Sequence, residues 1–477
     1  MKNLTACADA ITDLKAMLNP DLYLDSAGTM ARYERDWTGD HAGRAALVLR
    51  PRSTRDVSKM LSFCYERGIA VVPQGGHTGL VGAATPSATG QEVILSLERL
   101  NTIRSVDIAN FTITVEAGCI LQDVHEAAAS VDRLFPLTLG AKGTCQIGGN
   151  IATNAGGLNV LRYGMMRDLV LGLEAVLPDG RVFNGLQALR KNNLGYDIKQ
   201  LFVGSEGTLG VITAAVLKLF PMPRHTVTAF AALSTVDDAL RFYVRARTEL
   251  CDLLSAFELI PASGLELATS FRTDLRAPVG NAAAYHVLLE VQASGDLDLN
   301  TLTQNFLMKE LENNGILDVA IATSARQSSE FWAIREAMVE AEPHYGQHLR
   351  TDVSVPISKL AEFIIETDAL LEQHFHGAIR LPYGHIGDGN IHYNVLPPRS
   401  VGEGDLADYL HACEAMIFEV VDGLDGSISA EHGVGIAKQS AFMQRMSPVD
   451  LEIMAEFKSF FDSRAILSPG RILPKSN

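Results

Sequence analysis

Cysteine, tryptophan and basic charge are scarce in this 477-residue chain. Its six cysteines (Cys7, Cys64, Cys119, Cys145, Cys251 and Cys413) include no CxxC pair, which argues against a disulfide framework and against a Cys-based zinc site. Any metal must be held by His and carboxylate. No long Lys/Arg run occurs, and 56 acidic against 40 basic residues give a formal charge of −16, so nucleic acid and acidic membrane surfaces are poor partners. Apolar runs stop short of the roughly 18 residues of a membrane span. The opening MKNLTACADAITDLKAML lacks the unbroken apolar centre of a signal peptide, because Asp9, Asp13 and Lys15 make it an amphipathic helix pattern. The expected location is the cytoplasm. Low-complexity segments and repeats of fixed period are also absent.

Apolar residues, at 47%, are sufficient for cores, and the length calls for two or three domains. From about 44 to 220, β-rich runs (AALVLRP, IAVVPQGG, EVILSLERL, FTITVEAGC, VLGLEAVLPDG, LGVITAAVLKLFP) alternate with helices such as STRDVSKMLSFCYERG, an α+β rhythm. After the proline-marked break PMPRH at 221–225, strand-then-helix modules follow: AFAALSTVDDALRFYVRARTELC, HVLLEVQASGDLDLNTLTQNFLMKELENNG and DVSVPISKLAEFIIETDALLEQHF. They predict an antiparallel sheet covered by helices. The tail LEIMAEFKSFFDSRAILSPGRILP reads as a helix ended by its Ser-Pro-Gly turn.

Glycine is the dominant punctuation, with seven in the 25 residues from Gly140 to Gly164. PQGGHTGLVG, Pro73 to Gly82, follows the strand IAVV, where unpaired backbone N–H groups can form an anion nest for a diphosphate. It is neither GxGxxG nor GxxxxGK[ST], which argues against a Rossmann site or a P-loop. LGAKGTCQIGGNIATNAGGLNVLRYG and NNLGYDIKQLFVGSEGTLGVIT bring the dense glycine loops of this region to three.

GHIGDGNIHYNV, Gly384 to Val395, carries a different signal. With Asp388-Gly389 as a two-residue hairpin loop, Gly387 pairs with Asn390, Ile386 with Ile391 and His385 with His392. Directly opposed side chains share a face, so two imidazoles converge on one ion, with Asn394 on the same face. SISAEHGVG, Ser427 to Gly435, supplies Glu431 and His432. Two His plus a carboxylate with an open position is the composition of a catalytic zinc or similar divalent site, and a neighbouring His432 is a natural general base.

The three loops, from about 44 to 220, resemble the FAD-binding domain of vanillyl-alcohol oxidase-type flavoenzymes, whose two α+β lobes hold an extended FAD. The resemblance implies FAD contacts from Pro73, Gly75, Gly76, His77, Thr78, Gly79 and Gly82. It adds Gly143, Thr144, Gly148, Gly149, Asn150, Thr153, Asn154, Gly156 and Gly157, then Glu206, Gly207, Gly210 and Ile212. His77 stands where the closest subgroup has Asn, and a His there is covalently bonded to flavin in some branches; non-covalent FAD is the expectation. GHIGDGNIHYN and SAEHGVG resemble the carboxy-terminal half of the FAD-linked D-2-hydroxyacid dehydrogenases, closest to the branches acting on D-2-hydroxyglutarate, D-lactate and glycolate.

That family implies a two-lobed FAD domain over 1–222, a ferredoxin-like antiparallel-sheet substrate domain over 223–425, and a segment 426–477 returning to complete the active site. It implies zinc on His385, His392 and Glu431, substrate contact by Asn394 and His432 as base. An Arg, a Thr and a Lys hold the substrate's distal carboxylate in the D-2-hydroxyglutarate branch; here they are Arg335, Val339 and Arg350. The expected reaction is hydride transfer from a D-2-hydroxyacid to FAD, with D-2-hydroxyglutarate or D-malate as first substrates and D-lactate as the smaller one. Electron-transfer flavoprotein or a quinone is the expected acceptor, and a homodimer stays open. A metal-free flavin alcohol oxidase and a flavin electron-transfer subunit are the rival readings.

Overall fold

A computed structural model describes residues 2–280 and 283–475, with side chains from residue 8 onward. The chain forms two compact units, one of residues 1–157, 164–222 and 431–477, the other of 158–163 and 223–430. Among the described residues no helix is long and apolar enough to cross a membrane. Cys64, Cys119, Cys145 and Cys413 are buried thiols and Cys251 is exposed; the Cys7 side chain lies outside the described residues.

The first unit has two lobes. One carries a four-stranded sheet in the order Tyr23–Leu24, Ala45–Leu49, Glu92–Ser96, Val71–Gln74. Its helix Thr54–Arg67 starts where the Ser53 side chain accepts the Asp56 N–H, and stops at Gly68 in the left-handed region, which glycine enters without steric cost. Val57, Met60, Leu61 and Cys64 are spaced to bury one face of that helix. The other lobe holds five antiparallel strands in the order Ile103–Asp107, Thr112–Glu116, Val211–Lys218, Val170–Val176, Val182–Gly185.

The end of the chain completes the first lobe. The Val71 N–H donates to Ile466 O and the Ser468 N–H to Val71 O, while Arg471 forms a buried two-nitrogen ion pair with Glu92. The tail helix, Pro448–Phe461, ends earlier than the Ser-Pro-Gly turn suggests. Asp462 stops it by accepting the N–H groups of Ile466 and Leu467, an arrangement in which the chain turns before Pro469 is reached.

The second unit is one seven-stranded antiparallel sheet, ordered Asp318–Ile321, His225–Leu233, Tyr285–Ala293, Leu254–Pro261, Ile379–His385, Asn390–Leu396, Val353–Ser354. The modules read from sequence appear as strand His225–Leu233 with helix Val236–Glu249, and strand Tyr285–Ala293 with helix Leu299–Glu312. A further module, strand Leu254–Pro261 with helix Ala262–Phe271, lies between them in sequence and near the sheet centre. All eight residues of that strand are buried, so it shows no period-2 alternation by which to recognise it.

Candidate active site

In the first unit the three glycine loops meet. A Cβ on Gly76 would lie 2.2 Å from Thr144 O, and one on Gly207 would lie 3.3 Å from Pro73 Cγ. Backbone bonds join the second and third loops: Gly204 N–H donates to Ile151 O and Glu206 N–H to Ala152 O. His77, Asn154 and Glu206 have φ of +56°, +49° and +51°, a conformation side chains rarely adopt.

The glycines have two distinct jobs. Gly76, Gly148, Gly157 and Gly210 are packing glycines, since a Cβ on each would fall within 2.7 Å of a neighbour, respectively Thr144, Ala117, Thr138 and Phe202. Gly82 likewise packs on His41. Gly79, Gly143 and Gly149 instead face open space. Glycine there meets no packing demand of the protein, and the arrangement fits backbone kept bare for a ligand. Gln146, buried at the same loops, has an Oε1 with no hydrogen-bond partner, lying 3.6 Å from where a Gly75 Cβ would stand. An orphaned buried acceptor beside bare backbone suits a ligand with donors of its own.

Other loop residues hold the frame. Thr153 Oγ1 donates to Gly149 O, the Arg167 N–H donates to Asn154 Oδ1, and Asn150 and Ile212 are buried. Thr78 and Gly156 belong to the same loops, Gly156 buried. His77 Nε2 lies 3.2 Å from Thr85 Oγ1, and burial pushes its pKa down, against the Asp36 charge. Glu206 accepts the N–H groups of Val434 and Gly435 at 2.7 and 2.8 Å, anchoring the loop that follows His432. Burial pushes the Glu206 carboxyl up despite those bonds.

In the second unit the hairpin register differs from the expected one. His385 pairs with Asn390 and Tyr383 with His392, so the loop is Ile386–Gly389, four residues rather than two. The Asp388 side chain accepts the Asn390 N–H, the Ile386 N–H donates to Phe257 O, and Gly389, at φ +81°, packs against Val355 O. These contacts hold the wider turn. The two histidines are diagonal rather than opposed, with ring centroids 5.7 Å apart, and remain on one face.

His385 is buried and tied down. It is the cross-strand partner of Glu258, and its Nδ1 lies 2.5 Å from Glu258 Oε1. Arg335 Nε donates to the other oxygen at 3.1 Å, and its guanidinium stacks 4.5 Å over the Tyr383 ring. Burial pushes the Glu258 carboxyl up, but His385 and Arg335 outweigh it and hold it well below the ordinary carboxylate range. His392 Nδ1 lies 3.9 Å from Asp352, which accepts from Asn390 Nδ2. Past the sheet, the Ala430 N–H donates to Asp352 O, so chain connectivity delivers Glu431 and His432 at this point. The rings of His385 and His392 lie 5.7 Å apart between centroids on one face, with the Asp352 carboxylate 3.9 Å from His392 Nδ1. Two imidazoles and one carboxylate fit a divalent ion of the zinc type.

Asn394 is buried and committed within the fold: Nδ2 donates to Glu342 and Tyr383 OH, and Oδ1 accepts the Thr351 N–H. Arg350 is exposed, and its charge is felt by Tyr383, the ring on which Arg335 stacks. Val339 is exposed, one turn after Arg335 on helix Ala325–Tyr345. Glu258, Asp352 and Gln146 were not anticipated. Glu258 had a visible signal, a lone acid amid the apolar run SAFELIP, where a buried charge requires a partner.

Two family models match the chain, an FAD binding domain over residues 45–185 and the C-terminal domain of FAD linked oxidases over 222–472. Solved structures with the same fold include p-cresol methylhydroxylase (TM-score 0.77, 14% identity, covering 99% of this chain and 97% of that one) and 4-ethylphenol oxidase from Gulosibacter chungangensis (TM-score 0.76, 18% identity, covering 98% of each). The fold is therefore that of the vanillyl-alcohol oxidase-type flavoproteins. Curated relatives include D-2-hydroxyglutarate dehydrogenase of Danio rerio, 38% identical over 92% of this chain and 80% of the relative. The Xanthomonas citri pv. viticola enzyme of the same name is 36% identical over 93% and 92%. A D-2-hydroxyglutarate–pyruvate transhydrogenase of Saccharomyces cerevisiae is 34% identical over 95% and 92%. The chain belongs to the FAD-linked oxidases, in their D-2-hydroxyacid dehydrogenase family.

Proposed function

We propose that this protein oxidises a D-2-hydroxyacid bearing a second carboxylate, D-2-hydroxyglutarate or D-malate first, to the 2-keto acid, with a divalent ion, zinc first, on His385, His392 and Glu431. The observation that most supports this is the pair His385 and His392 on one face of the sheet, with the chain running from Ala430, bonded to Asp352, into Glu431, in a protein whose relatives carry that dehydrogenase's name. FAD, when bound, supplies the hydride acceptor, and the metal, when bound, supplies a Lewis acid for the substrate hydroxyl. His432, next in sequence to Glu431, takes the hydroxyl proton. Arg350 and the terminal nitrogens of Arg335 offer paired donors to a carboxylate beside Tyr383, while Arg335 Nε stays on Glu258. Asn394 fixes the floor of that region by tying Tyr383 to Glu342. Electrons then pass to an electron-transfer flavoprotein or a quinone.

Anaerobic mixing of the purified FAD-loaded protein with D-2-hydroxyglutarate, D-malate, D-lactate and glycolate tests the reading through flavin bleaching. Bleaching by the dicarboxylates that a chelator abolishes and zinc restores is expected. Bleaching indifferent to chelation favours a metal-free alcohol oxidase, and no bleaching by any 2-hydroxyacid favours an electron carrier.

A further inference from the structure

A charged residue at the centre of a wholly buried strand needs a reason. Glu258 is 1% exposed in strand Leu254–Pro261, where an apolar side chain of similar volume would serve packing as well or better. Its two carboxylate oxygens are divided, Oε1 to His385 Nδ1 at 2.5 Å and Oε2 to Arg335 Nε at 3.1 Å. The division is built into the backbone, since Glu258 and His385 are direct partners in adjacent strands. Arg335 is fixed in turn by stacking on Tyr383.

We propose that Glu258 is a positioning residue for the metal site: its carboxylate, held by Arg335, fixes the ring of His385 with Nδ1 as donor and assigns ligation to Nε2. A carboxylate behind a ligating imidazole fixes its tautomer and orientation and strengthens it as a ligand. The role rests on the metal reading proposed above. Arg335 thereby acquires a function independent of any substrate contact, as the counterion that keeps a buried carboxylate in place.

Zinc affinity of the full-length FAD-loaded protein, measured by chelator competition, tests this. Glu258→Gln is expected to weaken zinc binding about tenfold, at the low end of the 10–100-fold range for such partners because an amide oxygen can still accept the Nδ1 proton. The flavin spectrum should be unchanged, and raising free zinc should restore full metal stoichiometry, which repairs a positioning defect but not a damaged fold. Arg335→Met, which leaves the Glu258–His385 bond but removes the group steadying the carboxylate, should cost about threefold in zinc affinity, less than the loss of Glu258 itself. Should Glu258→Gln fail to fold, the double variant Glu258→Leu/Arg335→Met, which buries no unpaired charge, takes its place and should lose 10–100-fold. Wild-type affinity in the folded Glu258 variant overturns the proposal, as does an equal loss in Arg335→Met. A wild-type protein that takes up no zinc overturns the metal reading and this role with it.

Discussion

Gly148 and Gly149 are neighbours with opposite structural reasons for being glycine, so the same substitution at each should have opposite consequences. A Cβ on Gly148 would stand 2.7 Å from Ala117 Cβ and 3.1 Å from Ala117 O, in a buried contact where the Gly148 N–H already donates to that oxygen at 2.7 Å. Gly148→Ala must push two backbones apart, and overpacking of this kind costs about 1–3 kcal/mol. A Cβ on Gly149 would meet nothing within 4 Å, and the residue sits in helix Ile147–Ala152 with an ordinary negative φ. Replacing a helical glycine by alanine there should stabilise the apoprotein by about 0.5–1 kcal/mol. At about 2–4 °C per kcal/mol, that is a rise in Tm of a few degrees at most. If the open space belongs to FAD, the added methyl intrudes on it. An intrusion costing about 1–3 kcal/mol lowers FAD affinity by about 5–150-fold. Thermal melts of the deflavinated proteins and flavin-fluorescence titrations measure the two effects separately. Gly149→Ala with wild-type FAD affinity would refute the assignment of that space to the cofactor, and a lowered apoprotein Tm would refute the open-space reading itself.

Three further outcomes follow from the site and the core. His432→Ala should retain zinc and FAD yet slow flavin reduction by about 10²–10⁴-fold in anaerobic stopped flow, and near-normal rates exclude it as the base. Arg350→Ala should raise KM for a dicarboxylate well beyond any change for D-lactate, so equal effects on both would remove it from distal-carboxylate recognition. For Glu92, burial raises the carboxyl pKa but Arg471 outweighs it, so the folded value lies below the ordinary 4.5. Its stabilisation is complete above that value and drains away as pH falls through the depressed one. Arg471→Met, breaking a buried pair, should cost about 3–5 kcal/mol by denaturant unfolding at neutral pH and flatten the acid dependence, and an unchanged pH profile would contradict the pairing.

The expected hairpin loop was two residues too short, yet both histidines still face one side. Widening it from two residues to four moves each pairing by two positions, and strand faces alternate with a period of two, so parity survives. A one-residue error would have turned one histidine away from the other. Sequence periodicity thus carried the face, while the register depended on contacts of Ile386 with Phe257 and of Gly389 with Val355, which are distant in sequence. The glycine loops were legible because backbone demands leave glycine in the sequence. Which glycines serve packing and which stay bare was not legible, since Gly148 and Gly149 differ only in what lies opposite. Glu258 stood out as a lone acid in an apolar run, but what it pairs with was not legible, because its partners are 77 and 127 residues away.

The ion pair between Glu92 and Arg471 spans 379 residues of chain, nearly all of it synthesised between the two partners. At about 5–20 residues per second, Glu92 waits about 20–75 s for its counter-charge during synthesis. Through that interval the first lobe also lacks the segment that bonds to Val71, leaving the Val71–Gln74 strand with one side unpaired. The second unit's residues 223–430 are all made within the same window and can close their sheet first. The order of completion is therefore the reverse of the order of emergence: the unit that binds the nucleotide cofactor is begun first and finished last. A ribosome that stops short of residue 471 releases a chain whose flavin domain holds a buried acid without its counter-charge.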